Sequence, residues 1–421
     1  MKDLSLYAKQ DTYLSNEELK KAIEDSLEEY KNSNSKILLL VPDYTRYHSN
    51  AGYIANIIYH YLDTCDIYLL EALGTHVPMT EKEIVDMYGD IPIDRFIGHD
   101  WRNDIIKIGE IPAEYVSEVS QGLMNEKIDV EVNKRVMDDY DLIISIGQVV
   151  PHEVVGMANQ SKNIFVGCGG NSMINSSHML GAFYGMERIM GKDFSPVRKV
   201  FDYALDHYLN DIPLKFILTV TTAPGGHIQT HGLFIGRDRK YFEEAVKLAQ
   251  EKNLILVDEA FDKVVVYLNP EEFKSTWLGN KAIYRTRMAI ADNGQLIIIA
   301  PGIDKFGEDA QNDKLIRKYG YCGRENVIKL CEENEDLKQN LSAAAHLIHG
   351  SSDDRFTITY CTKNISQEEI ENVNFKWIDY DEIIKKYVPN KLIDGFNEVD
   401  GEKIFYISNP ALGLWACKDK F

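Results

Sequence analysis

Three segments of this 421-residue chain gather side chains that can grip an anion or move a proton. After the apolar run Ile37–Val41 comes Pro42-Asp43-Tyr44-Thr45-Arg46-Tyr47-His48. After Asp66–Leu70 comes Gly74-Thr75-His76-Val77-Pro78-Met79-Thr80. After Leu142–Ile146 comes a long stretch from Gly147 to His178, holding His152, Lys162, the glycine-rich Val166-Gly-Cys-Gly-Gly170 and His178 itself. Each residue also has an ordinary reading. A single histidine behind a strand is often a hydrogen-bonded structural residue. Arg46 could pair with Asp43 across a turn, Lys162 could be a solvated loop lysine, and Val166–Gly170 fits neither a phosphate loop nor a dinucleotide fingerprint. No HExxH, GxSxG or CxxC is present. His346 and His349 stand at i, i+3 and could share a helix face as a metal pair, without an obvious third ligand. The convergence carries the argument: three imidazoles, an amine and a guanidinium at the mouth of one sheet make a candidate catalytic site.

The elements that must position these residues read as alternating α and β. The runs Ile37–Val41, Asp66–Leu70, Leu142–Ile146, Phe216–Val220 and Val264–Leu268 are short, β-branched and flanked by Gly, Pro or Asp, as strands buried on both faces are. Helix patterns intervene at Ser15–Tyr30, Thr80–Tyr88 and Asp238–Lys252, with Ser15 a plausible N-cap and Thr80/Glu83 a capping box. Such alternation predicts a parallel α/β sheet. A second set follows, with helices expected at Lys281–Ala291, Asp313–Tyr319 and Glu325–Glu332 and strands at Gln295–Ala300 and Thr357–Cys361. The turn Asn269-Pro270 sets the expected boundary, giving an N-terminal α/β domain over 1–270 and a C-terminal α/β domain over 271–421, whose last segment is expected to return to the first.

Composition narrows the class. Hydrophobic residues make 44% of the chain and charged residues 27%, a globular profile that excludes collagen, coiled coil and disorder. A net charge of −20 repels phosphate backbones, so neither nucleic acid nor an anionic membrane is an expected partner, and an anionic substrate needs a local basic pocket. Six scattered cysteines read as reduced thiols. The N-terminal residues lack a signal-peptide pattern and the apolar runs are far shorter than the roughly 20 residues of a membrane helix, so a soluble cytoplasmic protein is expected.

The same loops resemble the nickel-dependent lactate racemase family, the 2-hydroxyacid racemases and epimerases that use a nickel-pincer nucleotide. The resemblance runs through Asp43-x-Thr45-Arg46, then Gly74-Thr75-His76-x-Pro78-Met79-Thr80, then Pro151-His152 with Lys162 ten residues on, then His178. It implies two α/β domains with the site in the cleft between them. It implies that Lys162 carries the cofactor through a thioamide link, that His178 is the protein ligand to nickel, and that His76 and His152 are the acid/base pair. Arg46 would hold the substrate carboxylate, with Asp43 in the same binding network. The cofactor is a pyridinium mononucleotide with nickel between thioamide and thiocarboxylate arms. It is made by other proteins, which are then expected partners.

The residue types suit this chemistry. Removing the Cα–H of a 2-hydroxycarboxylate as a proton would put a second negative charge beside a carboxylate. Removing it as hydride leaves a planar 2-ketoacid open on both faces, and the hydroxyl must lose its proton from whichever isomer is bound. Two bases are therefore needed, and histidine titrates near neutral pH. An arginine gives a bidentate hold on the carboxylate, no side chain can accept the hydride, and imidazole is a good nickel ligand.

Two departures from the lactate-specific members bear on the substrate. Glu153-Val-Val-Gly-Met-Ala-Asn-Gln-Ser161 replaces a more Gly- and Arg-rich stretch, and the C-terminal half is polar, with Trp277, Asn280, Lys281, Arg285, Arg287, Asp304, Lys305, His346, His349 and Ser352. Lactate needs an apolar wall for one methyl, whereas a polyhydroxy acid needs many hydrogen bonds. The chain is thus similar to the branch acting on sugar acids such as gluconate and mannonate, with Lys305 an expected substrate contact and lactate the alternative substrate. The polar residues are equally explained as interdomain or helix-cap contacts. The residues also leave open a hydrolase or lyase using a divalent ion on the same histidines, and a non-catalytic carboxylate-binding module.

Overall fold

The computed structural model describes every residue except Leu412. It divides into two compact units, Met1–Tyr184 with Ile189–Asn253, and Gly185–Arg188 with Leu254–Phe421. Both are mixed α/β. No described helix is long and apolar enough to cross a membrane.

The first unit is built on a seven-stranded sheet of β1 (Leu4–Tyr7), β2 (Lys36–Val41), β3 (Asp66–Glu71), β4 (Phe96–Gly98), β5 (Leu142–Gln148), β6 (Leu214–Thr222) and β7 (Gln229–Gly236). Its order is β1-β7-β6-β5-β2-β3-β4, parallel from β6 to β4 and antiparallel at the β1 and β7 edge. Ile37 to Val41 are wholly buried, which is why that strand reads as one unbroken apolar run. Helices cover both faces. Those at Asn16–Leu27 and Glu81–Tyr88 begin with the capping boxes Ser15/Glu18 and Thr80/Glu83, each satisfying two end groups of the helix reciprocally. From β2 the chain moves outward through β3 to β4, then returns to lay β5 on the other side of β2. The β2/β5 neighbourhood is therefore a topological switch point, where carboxyl-end loops diverge and leave a crevice.

The second unit has a six-stranded sheet: β8 (Phe261–Tyr267), β9 (Ile290–Ala300), β10 (Thr357–Thr362), β11 (Lys376–Trp377), β12 (Gly395–Val399) and β13 (Glu402–Ile407), in the order β11-β10-β9-β8-β13-β12. Three expectations change here. The run Val264–Leu268, expected to close the N-terminal domain, lies in β8 and pairs with β9 and β13, so the division falls after Asn253 and not near 270. The last segment does not return to the first unit, because Leu414–Cys417 pairs with Leu254–Val257 inside the second. Lys281–Ala291 is not one helix: a short helix ends at Tyr284 and β9 begins at Ile290. The carbonyls of Arg285, Met288 and Ala289 accept from Trp415, Cys417 and Phe261, so tertiary pairing wins over helix propensity.

Candidate functional site

Three loops leave the carboxyl ends of β2, β3 and β5, and each is tied down by the backbone. The loop after β2 turns on Asp43, whose Oδ1 accepts from the Thr45 amide at 2.8 Å and from Thr45 Oγ1 at 2.5 Å. Thr221 and Thr219 of β6 donate their hydroxyls to the carbonyls of His48 and Ser49 and hold the far side of that loop. The loop after β3 is fastened to the third loop by the Gly74 amide, which donates to Gly167 O at 2.8 Å. The third loop forms a small hairpin, Pro151–His152 against Gly156–Met157, followed by one wide helical turn over Asn163–Gly167 that closes with Cys168 N to Asn163 O. Such i→i+5 turns recur at functional sites.

Asp43 is 6% exposed, and its Oδ2 lies 2.7 Å from His76 Nδ1. Burial alone would raise this carboxyl, but the His76 ring, the Thr45 hydroxyl and the Arg46 charge outweigh it and hold Asp43 well below the usual carboxylate range. An ionised Asp43 accepts a hydrogen bond from Nδ1–H, which leaves the His76 Nε2 lone pair as the free end of the ring. His152 is wired the other way. Its Nδ1 accepts from the Val154 amide at 3.1 Å, which assigns the proton of the neutral ring to Nε2. Glu153 Oε2 lies 3.6 Å from the same nitrogen.

Lys162 is mostly buried, and its amine has no ion pair or hydrogen bond among the described residues. Desolvation first, then the nearby Arg46 charge, lowers it to about 8, against the opposing pull of Glu153 and Asp43. A fraction of the amine is thus neutral and nucleophilic near neutral pH. His178 sits on the helix Asn171–Tyr184, where Nδ1–H donates to Ile174 O at 2.6 Å. Desolvation pushes its ring down to about 4, and Lys162 adds to the shift. The ring is therefore neutral, with Nε2 unprotonated and suited to a metal. Arg46 feels Asp43 and Lys162, yet its guanidinium has no hydrogen-bonded or ion-paired partner among the described residues.

The first unit accordingly brings Asp43, Arg46, His76, Lys162 and His178 into one electrostatic neighbourhood, with His152 joined through Glu153. The alternative pairing of Arg46 with Asp43 across the turn is not made, because His76 takes the carboxylate. Lys305 belongs to the second unit, where its Nζ donates to Glu308 O at 3.3 Å within its own loop. Among the described residues no three His, Cys, Asp or Glu side chains gather as a metal-holding set, and His346 is committed to Tyr321, 2.9 Å away. Sequence reasoning missed Glu153, whose signal was only its place beside His152. It also missed Arg198, a charged residue in line with Phe201 and Leu205 on the buried stripe of its helix.

No curated protein matches the sequence. The structure is similar to the crystal structure of a Thermotoga maritima protein, with 24% identity and a TM-score of 0.86 over 98% of this chain and all of that one. It is also similar to the lactate racemase apoprotein of Thermoanaerobacterium thermosaccharolyticum, with 16% identity and a TM-score of 0.68 over 96% of this chain and 93% of that one. At these identities the likeness concerns the fold. Residues 7–190, which carry all six first-unit candidates, match the model of the lactate racemase N-terminal domain.

Proposed function

We propose that this chain inverts C2 of a 2-hydroxycarboxylate with a nickel-pincer nucleotide held on Lys162 and His178. The observation that carries the reading is the meeting of an unpaired amine lowered to about 8 with a neutral imidazole whose Nε2 is left unprotonated. Those are the two donor types such a group requires, so the residues fit it. When bound, the group supplies the hydride acceptor that side chains lack.

The remaining roles belong to the chain itself. Arg46, without an internal partner, grips the substrate carboxylate through two parallel hydrogen bonds. His76 takes the hydroxyl proton at Nε2, and the Asp43 carboxylate stabilises the resulting imidazolium. His152, with its proton on Nε2, gives one back to the substrate oxygen. Burial of the third loop keeps water from competing for these groups.

A polyhydroxy acid of the gluconate or mannonate type is the favoured substrate, because the second unit is rich in hydrogen-bonding side chains. Asn280, His346 and Arg287 already have partners within that unit. A divalent-ion hydrolase on the same histidines has no three-residue ligand set among the described residues. The test is a panel of 2-hydroxy acids from lactate to gluconate, given to protein co-produced with the cofactor-synthesis proteins and followed by chiral chromatography. Inversion of the sugar acids supports the full reading and inversion of lactate alone moves the substrate. Loaded protein that inverts none overturns the reading.

A further inference from the structure

The segment joining His152 to Lys162 makes a strained, buried turn. Asn159 and Gln160 have φ of +66° and +57°, two successive non-glycine residues in the left-handed region. Such residues are strained and persist only where surroundings impose them. Both are buried, as is Ser161, so water does not stabilise the turn. Gly147 is part of the arrangement: a Cβ there would stand 2.0 Å from Asn159 Nδ2.

Beside the local bonds from Gln160 N to Asn159 Oδ1 at 2.7 Å and from Ser161 N to Gln160 Oε1 at 2.6 Å, support comes from one helix, Pro196–Tyr208. Its N-cap, Ser195, donates Oγ to Val155 O at 2.8 Å, in the hairpin that carries His152. One turn on, Arg198 is 1% exposed and reaches along the segment. Its Nη2 donates to Met157 O at 2.6 Å, and its Nη1 to Asn159 O at 3.1 Å, Gln160 Oε1 at 3.3 Å and Ser161 Oγ at 2.8 Å. A further turn on, Asp202 Oδ1 accepts from Ser161 Oγ at 2.7 Å, while its Oδ2 is held by Arg239 at 3.0 Å. The Arg198 guanidinium lies over the Phe242 ring, 4.4 Å from its centroid.

We propose that Arg198 is a positioning residue for Lys162, its four hydrogen bonds to residues 157–161 fixing where the amine stands relative to His152. Burying a cation in this way is costly, and desolvation lowers Arg198 to about 10 despite Asp202 and Asp193. A merely structural arginine would be expected to pair with a carboxylate. Arg198 instead spends its two terminal nitrogens on the segment leading into Lys162, in the planar fork geometry that lysine lacks. This deepens the proposed function, since it takes Lys162 as the point of cofactor attachment.

The experiment uses the full chain co-produced with the cofactor-synthesis proteins, as wild type, Arg198→Ala and Arg198→Lys. Intact mass reports the adduct on Lys162, and amide hydrogen exchange reports the 157–163 segment and β5 separately. Arg198→Ala should lose adduct by about 10- to 100-fold, as loss of outer supporting contacts does at metal sites. Exchange should quicken about tenfold or more over 157–163 with β5 unchanged. Millimolar guanidinium chloride should restore the adduct where equal sodium chloride does not, a rescue that a general packing defect would not show. If Arg198→Ala fails to fold, Arg198→Lys carries the test, with the charge kept and the fork lost. Wild-type adduct and wild-type exchange in a folded variant overturn the proposal. If the wild type itself carries no adduct, Lys162 is not the attachment point, and exchange alone then decides whether Arg198 holds the segment.

Discussion

Two clusters built around histidine lie in this chain, one in each unit, and they are finished to opposite degrees. In the second unit the Tyr321 hydroxyl stands 2.9 Å from His346 Nε2 and 3.0 Å from Thr276 Oγ1. Asn280 reaches the same Nε2 at 3.4 Å and accepts from the Tyr360 hydroxyl at 2.7 Å, while the Trp277 ring stacks on His346 at 4.2 Å. Burial holds the Tyr321 phenol far above its ordinary value, so it remains a donor. Polar group meets polar group, as in a network that specifies one packing. In the first unit Lys162 is desolvated and Arg46 half-buried, and neither has a hydrogen-bonded or ion-paired partner among the described residues, beside a carboxylate already committed to His76. A desolvated cation at the carboxyl ends of a parallel sheet is a functional-site candidate. Partner completeness, more than residue type, separates a site from a core.

The largest effect should come from removing the unfinished amine. Lys162→Ala should abolish the covalent adduct by intact mass and reduce turnover to background; an adduct that persists would place attachment elsewhere. Next, His178→Ala should strip nickel from the purified protein by elemental analysis, while Tyr321→Phe in the other cluster leaves nickel content unchanged. Asp43→Asn keeps the shape but removes the charge that steadies His76. By analogy with other carboxylate-oriented histidines, kcat should fall about 10²- to 10⁴-fold with cofactor still bound. A near wild-type kcat would take His76 out of the proton-transfer role.

How much of this was readable beforehand depends on the range of the interaction. The four central strands at Ile37–Val41, Asp66–Leu70, Leu142–Ile146 and Phe216–Val220, the N-cap Ser15 and the capping box at Thr80 are local patterns, and they form where the residues indicate, whereas the edge strands β1, β4 and β7 carried no such signal. The loops carrying Asp43, His76, His152 and Lys162 were legible because chemistry-bearing residues follow strands directly. Sheet membership is not local: Val264–Leu268 looks the same whether it closes one sheet or opens the next, and pairing with β9 and β13 decides. The same holds for Asp43, whose two possible partners, three and 33 residues away, were distinguished only by the fold. Arg198 is the deepest case, since two of its four acceptors are backbone carbonyls that no sequence motif records.

The finished cluster should respond in stability and not in catalysis. Tyr321→Phe leaves His346 and Thr276 short of a buried hydrogen bond, which costs about 1–3 kcal/mol. A thermal melt should fall by several degrees, with kcat and KM unchanged. A large loss of kcat with little loss of stability would bring the second cluster into the chemistry and erase the contrast.

The smallest effect is also the most direct reading of the contrast, because it asks what the unpaired amine does to the fold. Lys162 is lowered to about 8 in the folded chain, whereas an unperturbed lysine titrates near 10.4. Between those values the unfolded chain binds more protons, so stability rises with pH across that window. Below about pH 8 the cost of holding a charged amine in a desolvated place is fully present. Lys162→Met should therefore melt a little higher than wild type at pH 7, and the difference should shrink as pH climbs from about 8 towards 10. A variant that melts lower than wild type at pH 7 would mean that the amine is satisfied where it stands, like the groups around His346.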